Sequence, residues 1–534
     1  MKKIVLFLTL VTSGLSFAQD LPSMSGGGNF TNGNFGVQTK QQLKILKDYY
    51  GVGKARINLY PNYYYNKQQA KATPASIDSV MILFYESGIE PILLFEYYGS
   101  YNDLGTKQKW ETIGREFAKK WAPNSAHLIS KGIKNWGIKH YTLINEPDLD
   151  QSIPKTSADN ALSNYHDVIE GFADGVHSVS KDLKVIPGGF ASENAWSIHD
   201  LKGYLPAIAD LVNNGKVAGI DLHTYNDDRF APIIKATNGW TTYVFSAQSD
   251  FNEVKKASGI KSDVGFYSTE YSYKANTQTI TEDAAAKFLF MTIFNNLGIV
   301  GNDGKTLKTN YALAWNLFNT TTSDPTYGFC YQLDPYLPTP KALTFKLAMD
   351  LTRGLEYTSL DSAKGIYVLA NKTENAWVYH NTPTWTNLLS ATDLKNGYSS
   401  FSIPNVPIKH SMINCCNYKG LVQTKANTNG TVVFDNLPIN QTYIFKNAPL
   451  ATDITNEFES QAEEMAFTVF PNPFISATTV FLKAGIKKIQ LFDASGVLVD
   501  QEYTADTTYI LGDQLKSGLY FLKINERVIR LIKN

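Results

Sequence analysis

The chain has 534 residues, of which 43% are hydrophobic and 13% aromatic. This length exceeds one ordinary domain, and we expect two to four. Because 49 Lys and Arg residues balance 49 Asp and Glu residues, neither nucleic acid nor a membrane surface is the expected partner, since both favour a basic excess.

The N-terminus reads MKKIVLFLTLVTSGLSFAQD. Lys2 and Lys3 precede a mostly apolar stretch that ends at a small-x-small site, which is typical of a secretory signal peptide. We therefore predict a signal peptide over 1–18, cleaved after Ala18. No later stretch approaches 18 uninterrupted apolar residues, so no membrane span is expected and the mature protein should be soluble.

The cysteines predict neither a disulfide framework nor a zinc site. The chain has three of them, Cys330, Cys415 and Cys416, an odd number without metal-ligand spacing. We expect the fold to depend on its hydrophobic core and to need no metal and no cofactor.

Short apolar runs alternate with amphipathic segments between about residue 35 and 353. The predicted strands are 53–60, 89–98, 140–147, 184–191, 219–226, 264–273 and 311–318, and the predicted helices or helical zones are 39–51, 76–88, 108–135, 161–180, 200–215, 241–258, 281–298 and 340–354. A further, weaker strand is expected first, around 26–38. The strands are near-continuous apolar runs, the pattern of parallel strands buried on both faces.

This alternation predicts an α/β fold, a (β/α)8 TIM barrel over residues 19–354. A doubly wound open sheet is the competing interpretation. It is less favoured because no Gly-rich phosphate loop follows the first strand.

The sequence changes character after Gly354. Residues 355–448 contain short β-like runs separated by Asn, Gly, Pro and Thr, which predicts a β-sandwich domain. Residues 449–466 are polar and acidic, which predicts a linker. Residues 467–534 form a last, small all-β domain.

The tail contains FTVFPNPF, then IQLFDASGVLVD, then LKSGLYFLKINERVIRLIKN at its end. In these three ordered motifs it resembles the type IX (Por) secretion C-terminal sorting domain of Bacteroidetes. The resemblance implies export through the periplasm and outer membrane by the type IX machinery, and a secreted or cell-surface location. An ordinary Ig-like accessory domain is the alternative.

Two acidic residues stand where buried strands end. Glu146 follows the apolar run of HYTLINEP, and Glu270 lies near the end of GFYSTEYSY. If the weak first strand is real, these are strands four and seven, which face each other across a barrel. Carboxyl groups so placed can lie about 5–5.5 Å apart, the separation that retaining glycoside hydrolysis uses.

Asn145-Glu146-Pro147 after a fourth strand, with a glutamate ending a seventh, resembles glycoside hydrolase clan A. The resemblance implies that Glu146 is the acid/base and Glu270 the nucleophile, and that Asn145 binds a sugar hydroxyl. It further implies site roles for four residues at other strand ends: Arg56 steadying the nucleophile, His223 and Tyr225 in a His-x-Tyr motif, and Trp315 under the sugar.

Each of these residues also has a structural interpretation. Glu146 would then cap a helix, and Glu270 and Arg56 would form ordinary salt bridges. His223, Tyr225 and Trp315 would be core residues. We assign four further acids to loops: Asp148, Asp221, Asp227 and Asp228.

The function expected is a secreted retaining β-glycoside hydrolase, endo-acting on a polysaccharide or oligosaccharide, and monomeric. A barrel followed by a β-sandwich resembles families 39, 30 and 86. The alternative is a non-catalytic cell-surface carbohydrate-binding protein, which would be expected to lack one of the two carboxylates. A metal-dependent hydrolase would need clustered His and Asp ligands, and none of the eight His residues is so spaced.

Overall fold

The structure is a computed structural model that describes part of the chain. The described residues are 23–24, 37–59, 75–95, 105–147, 158–190, 204–223, 255, 259–261, 264–273, 281–300, 306–315, 328–332, 337–361, 366–381, 390–407, 409–447, 467–470, 477–482, 487–504, 508–512, 514–524 and 527–533. They form two compact units, one of 1–330 with 338–447 and the other of 331–337 with 448–534. The first is mixed α/β with a β module, and the second contains an all-β tail.

The α/β part of the first unit has nine described strands. They are β1 (Ser23–Met24), β2 (Lys54–Leu59), β3 (Glu90–Phe95), β4 (His140–Leu143), β5 (Lys184–Pro187), β6 (Gly219–Asp221), β7 (Gly265–Tyr271), β8 (Gly298–Val300) and β9 (Thr306–Ala314). One parallel sheet has the order β2-β3-β4-β5, and another has the order β6-β7-β9-β1. A parallel bridge between Phe190 and Leu222 joins β5 to β6, and β1 lies beside β2.

Helices follow most of these strands. They are α1 (Val37–Lys44), which continues into a π-helical turn (Ile45–Tyr49), α2 (Ala75–Ser87), α3 (Lys107–Trp121), α4 (Ala126–Ser130), α5 (Ala158–His177), α6 (Ala209–Asn213), α7 (Glu282–Asn295) and α8 (Pro340–Thr352). Thr281 and Thr339 cap α7 and α8, because their hydroxyls accept hydrogen bonds from the backbone N–H groups of Ala284 and Ala342. Among the helices of the described ranges, none has the length and apolar character required to cross a membrane.

One strand prediction is corrected and another is tested only at its end. The strand predicted around 26–38 lies outside the described residues except for 37–38, which belong to α1, and the described strand that pairs with Leu313 and Ala314 of β9 is β1, Ser23–Met24. A two-residue strand carries no periodicity, so its pairing partner alone defines it. The last strand of the sheet, β9, begins at Thr306 rather than 311, because β8 folds back on it as an antiparallel neighbour.

A short pair of strands, β10 (Cys330–Gln332) and β11 (Leu337–Pro338), precedes α8, and a β module follows it. The elements of the module are β12 (Glu356–Asp361), β13 (Ile366–Ala370), β14 (Asn375–Asn381), α9 (Ala391–Asn396), β15 (Tyr398–Ile403), β16 (Met412–Asn417), β17 (Gly420–Ala426), β18 (Val432–Pro438) and β19 (Gln441–Asn447). Strands β10 and β11 pair with each other, whereas β12 to β19 form a six-stranded sheet and the pair β15-β18. Stacked aromatics of the two sheets, Phe401 and Tyr379, centre its core. The Tyr418 hydroxyl donates to Asp283 of α7 at 2.9 Å, which ties the module to the α/β part.

The all-β tail consists of two antiparallel sheets. Its strands are β20 (Phe467–Phe470), β21 (Thr478–Leu482), β22 (Lys487–Asp493), β23 (Leu498–Thr504), β24 (Thr508–Leu511), β25 (Gly518–Ile524) and β26 (Arg527–Lys533). The orders are β20-β21-β24 and β23-β22-β25-β26. Alternate residues such as Ile489, Leu491, Leu522 and Ile524 point inward and form a buried core of the tail's own.

Candidate active site

The carboxyl ends of the parallel strands bring six of the seven predicted site residues to one region. Arg56 lies in β2, Glu270 in β7, and Trp315 directly follows β9. Asn145 and Glu146 follow β4, and His223 follows β6. The seventh, Tyr225, lies outside the described residues, as do Asp148, Asp227 and Asp228.

Glu270 is held in a rigid, buried position. It belongs to a regular strand, and only 6% of its side chain is exposed. The fully buried guanidinium of Arg56 donates from Nη2 to its Oε1. The Trp315 ring packs against the same guanidinium, with its centroid 5.3 Å from the Arg56 Cζ. A buried carboxylate needs such a partner, so this arrangement favours an ionised Glu270.

Glu146 lies on an unusual backbone. Its φ is +45° and that of Ile144 is +59°, in the left-handed region that a β-branched residue such as Ile144 rarely adopts. Two backbone bonds hold the turn, from the Ile144 N–H to the Phe95 oxygen at 2.8 Å and from the Glu146 N–H to the Gly189 oxygen at 2.9 Å. The left-handed turn therefore ends the extended conformation of β4 before Glu146, and 23% of the Glu146 side chain is exposed.

The Asn145 side chain completes this turn. It is half-buried, and its Oδ1 is buried without a hydrogen-bond partner among the described residues. Such an amide oxygen is able to accept a hydrogen bond from water or from a bound molecule.

His223 lies between the two carboxylates. Its Nδ1 is 2.7 Å from Glu146 Oε1 and 3.6 Å from Glu270 Oε2. Oxygens of Glu146 and Glu270 lie within 4.8 Å of each other. Burial disfavours a charged His223, but the carboxylates of Glu270, Glu146 and Asp221 outweigh that effect and raise its pKa to about 9.

The sequence analysis missed two residues behind His223, Asp221 and Thr269. Asp221 was assigned to a loop, and this is wrong: it is the last residue of β6 and fully buried. It accepts hydrogen bonds from the Thr269 backbone N–H at 2.9 Å and from the Thr269 hydroxyl at 2.7 Å. Burial raises the pKa of Asp221 above its usual value. An acid ending an apolar strand, the signal that identified Glu146, was present here too.

Gly189 has no side chain, and the His223 ring occupies the space where a Cβ would lie. A Cβ at this position would lie 2.0 Å from Nε2 of His223, which no packing adjustment of a fixed ring could accommodate. Gly188 before it is equally close to the backbone oxygen of Ile144, at 1.9 Å. The Gly-Gly pair after β5 therefore lets both the Glu146 turn and the His223 ring approach β5.

Glu146, His223 and Glu270 can together offer three ligand atoms to a metal ion. Basic side chains already pair with these carboxylates, Arg56 with Glu270 and His223 with Glu146. A metal ion would have to displace both partners. The arrangement therefore favours a pair of carboxylates with protein partners, one deep and one partly exposed, over a metal centre.

Comparison with known proteins identifies the tail. Residues 468–534 match the secretion system C-terminal sorting domain. This domain marks proteins exported by type IX secretion, so the chain is exported to the cell surface or beyond it. No curated protein matches the chain.

Solved glycosidase structures are similar to the chain in fold. A glucosidase from Croceicoccus marinus has a TM-score of 0.51 at 13% identity, with 81% of this chain and 96% of that chain covered. A family 39 glycoside hydrolase from Bacteroides cellulosilyticus WH2 has a TM-score of 0.48 at 14% identity, covering 80% and 81%. A GH30 endoxylanase from Clostridium papyrosolvens C71 has a TM-score of 0.46 at 10% identity, covering 81% and 97%. At such identities the likeness to the glucosidase supports a shared fold and says nothing about substrate.

Proposed function

We propose that this protein is an exported retaining β-glycoside hydrolase built on a closed (β/α)8 barrel, with Glu146 as acid/base and Glu270 as nucleophile. The observation that carries the proposal is the approach of their carboxylate oxygens to within 4.8 Å at the ends of β4 and β7. Retaining glycosidases use a pair separated by about 5–5.5 Å, whereas inverting enzymes need about 6.5–9.5 Å to admit a water.

The different surroundings of the two glutamates support the assignment of roles. A nucleophile must be ionised and fixed, and Glu270 is buried against the guanidinium of Arg56. An acid/base must reach both a leaving group and water, and Glu146 is the more exposed of the two.

The reaction then proceeds in two displacements. Glu270 attacks the anomeric carbon, the bond to the leaving oxygen breaks, and Glu146 gives its proton to that oxygen. Glu146 next takes a proton from water, the water oxygen bonds to the anomeric carbon, and the bond to Glu270 breaks. Both residues return to their starting states.

The remaining predicted residues would position the sugar. The Asn145 amide oxygen, without a partner among the described residues, would accept a hydrogen bond from a sugar hydroxyl. The Trp315 ring would carry the C–H face of the sugar while its other side contacts Arg56. Tyr225 would add a hydrogen bond to the nucleophile, as the clan resemblance implies.

The substrate proposed is an external polysaccharide or oligosaccharide, cleaved internally, because export carries the enzyme to polymers that cannot enter the cell. In this proposal residues 19–354 form the catalytic domain and 355–448 a sandwich that braces it, with a linker over 449–466. The protein would act as a monomer without a cofactor.

To test the proposal, the protein is incubated with a panel of plant and algal polysaccharides. Chromatography separates the products, and proton NMR identifies which anomer is released first. We expect shortened chains from one polysaccharide class and initial release of the β anomer. Initial release of the α anomer would contradict double displacement on a β-glycoside. Tight binding of a polysaccharide without cleavage would instead support the non-catalytic carbohydrate-binding alternative.

A further inference from the structure

A chain of hydrogen bonds continues behind His223, away from the two glutamates. His223 Nε2 is 3.0 Å from the Thr269 hydroxyl oxygen, and that hydroxyl is 2.7 Å from Asp221 Oδ2. Asp221 ends β6, His223 follows that strand, and Thr269 lies in the adjacent strand β7; all three side chains are buried. The complete sequence of contacts is Asp221, Thr269, His223 and Glu146.

The direction of each hydrogen bond in this chain follows from the chemistry of its members. Asp221 accepts on both oxygens, from the Thr269 hydroxyl on Oδ2 and from the Thr269 backbone N–H on Oδ1. The Thr269 hydroxyl therefore gives its single hydrogen to Asp221. Its oxygen is left to accept from His223, so the Nε2 of His223 must carry a hydrogen.

The other ring nitrogen then faces Glu146. With a hydrogen fixed on Nε2, the Nδ1 of His223 and the Oε1 of Glu146 share one proton across 2.7 Å. Among the described residues, the charged groups that face the ring include the carboxylates of Glu146, Glu270 and Asp221, with Arg56 beyond Glu270.

From this geometry we infer that Asp221 and Thr269 are positioning residues, which fix a hydrogen on His223 Nε2 so that Nδ1 holds a shared proton at Glu146. The inference deepens the proposed function and rests on it for its catalytic meaning. His223 would hold that proton close to Glu146 between the step in which Glu146 gives one away and the step in which it takes one back. Neither Thr269 nor Asp221 touches the reacting atoms.

The test measures the titration of the His223 ring directly. The full chain is labelled with ring-¹⁵N histidine, and imidazole nitrogen shifts are followed by NMR from pH 5 to pH 10. The His223 signals are identified by their loss in a His223→Gln variant. Thr269→Val keeps the shape of the side chain and removes the hydroxyl, Asp221→Asn removes the charge, and Thr269→Ser restores the hydroxyl.

In the unaltered chain we expect both His223 nitrogens to be protonated at neutral pH, with a pKa of about 9. Thr269→Val and Asp221→Asn should each lower that pKa by about one unit or more, a tenfold loss of proton affinity, because the Nε2–H loses its charge-supported acceptor. Thr269→Ser should titrate like the unaltered chain. An unchanged His223 titration in both Thr269→Val and Asp221→Asn would overturn the inference, and so would a Thr269→Ser variant that behaves like Thr269→Val.

Thr142→Val is the matched control. Thr142 is also a buried strand threonine, and its hydroxyl donates to the Leu93 oxygen at 3.0 Å, away from His223. This variant should leave the His223 titration unchanged. If Thr269→Val does not fold, Asp221→Asn gives the decision.

The NMR result is independent of hydrolysis, so the inference and the proposed function can fail separately. If no polysaccharide is cleaved, the ring titration still decides whether the hydrogen-bond chain exists. If cleavage is found, Thr269→Val should lower kcat about tenfold and displace the pH profile of kcat, with little effect on KM. A change confined to KM would overturn the positioning role.

Discussion

The ends of β4 and β7 each present a glutamate, but the two ends are built in opposite ways. Glu270 remains within a regular strand, buried and ion-paired with Arg56. Glu146 leaves its strand through a left-handed turn and keeps 23% of its side chain exposed. Its partner is a histidine, whose proton can move at accessible pH, rather than an arginine, whose proton cannot. One end therefore fixes a charge, and the other can hold and release a proton.

The largest effect on kcat is expected from removing the Glu270 carboxylate. Glu270→Ala should lower kcat about 10⁵–10⁶-fold, the magnitude known for loss of the nucleophile in covalent catalysis. Added azide should restore turnover by attacking in its place, with α-glycosyl azide as the product. Rates are measured on the polysaccharide that the substrate panel identifies. A variant within tenfold of the unaltered enzyme would remove Glu270 from the nucleophile role.

Removing the Glu146 carboxylate should lower kcat less than removing that of Glu270, and the loss should depend on the substrate. Glu146→Ala should lower kcat about 10²–10⁴-fold on a polysaccharide, the range for lost general acid–base catalysis. An aryl glycoside with a good leaving group needs no proton, so its first step should be far less affected. Azide should here yield the β-glycosyl azide. Equal losses on both kinds of substrate would contradict the acid role.

The Arg56 contact can be tested by stability. Arg56→Met leaves Glu270 buried without its cation and should lower the free energy of unfolding by about 3–5 kcal/mol, measured by urea denaturation. The double variant Arg56→Met/Glu270→Gln removes both charges and should recover part of this loss. Losses that simply add in the double variant would show that the two side chains are not coupled.

The smallest effect expected is a pH dependence from His223. Its pKa rises from 6.5 in the unfolded chain to about 9 in the folded one, so its contribution is complete below pH 6.5 and disappears as the pH rises through 9. The free energy of unfolding should fall by about 3 kcal/mol over that range.

His223→Gln is the control for this measurement. It should lack the fall in stability between pH 6.5 and 9. Four other histidines, His127, His177, His380 and His410, have lowered pKa values, so their titration affects stability only below pH 6.5. A His223→Gln variant with the same fall would assign the effect to another group.

Local signals were sufficient for strands β2 to β7, because each apolar run is contained in a few consecutive residues. The helix predicted over 241–258 lies outside the described residues apart from Lys255. An acid at the end of β4 and another near the end of β7 pointed to Glu146 and Glu270, whose oxygens lie within 4.8 Å. Local signals failed at β1, whose two residues are defined by pairing with β9. They also failed at β8, a short strand defined by its antiparallel contact with β9.

The contacts around His223 were harder to predict than the two glutamates. The contact between Thr269 and His223 joins residues 46 positions apart, and a threonine in a strand otherwise signals only β propensity. The need for Gly189 appears only when the His223 ring is placed beside it. Asp221 could have been predicted as a site residue, because it is an acid at the end of an apolar strand, but it was assigned to a loop.

The most direct test of the account is to find where the sugar is attached during turnover. The enzyme is quenched in acid while it cleaves its polysaccharide, digested with pepsin and analysed by mass spectrometry. The account predicts a glycosylated peptide with the added mass on Glu270, absent from Glu270→Ala. A modified Glu146, or continued hydrolysis without any adduct on Glu270, would contradict it.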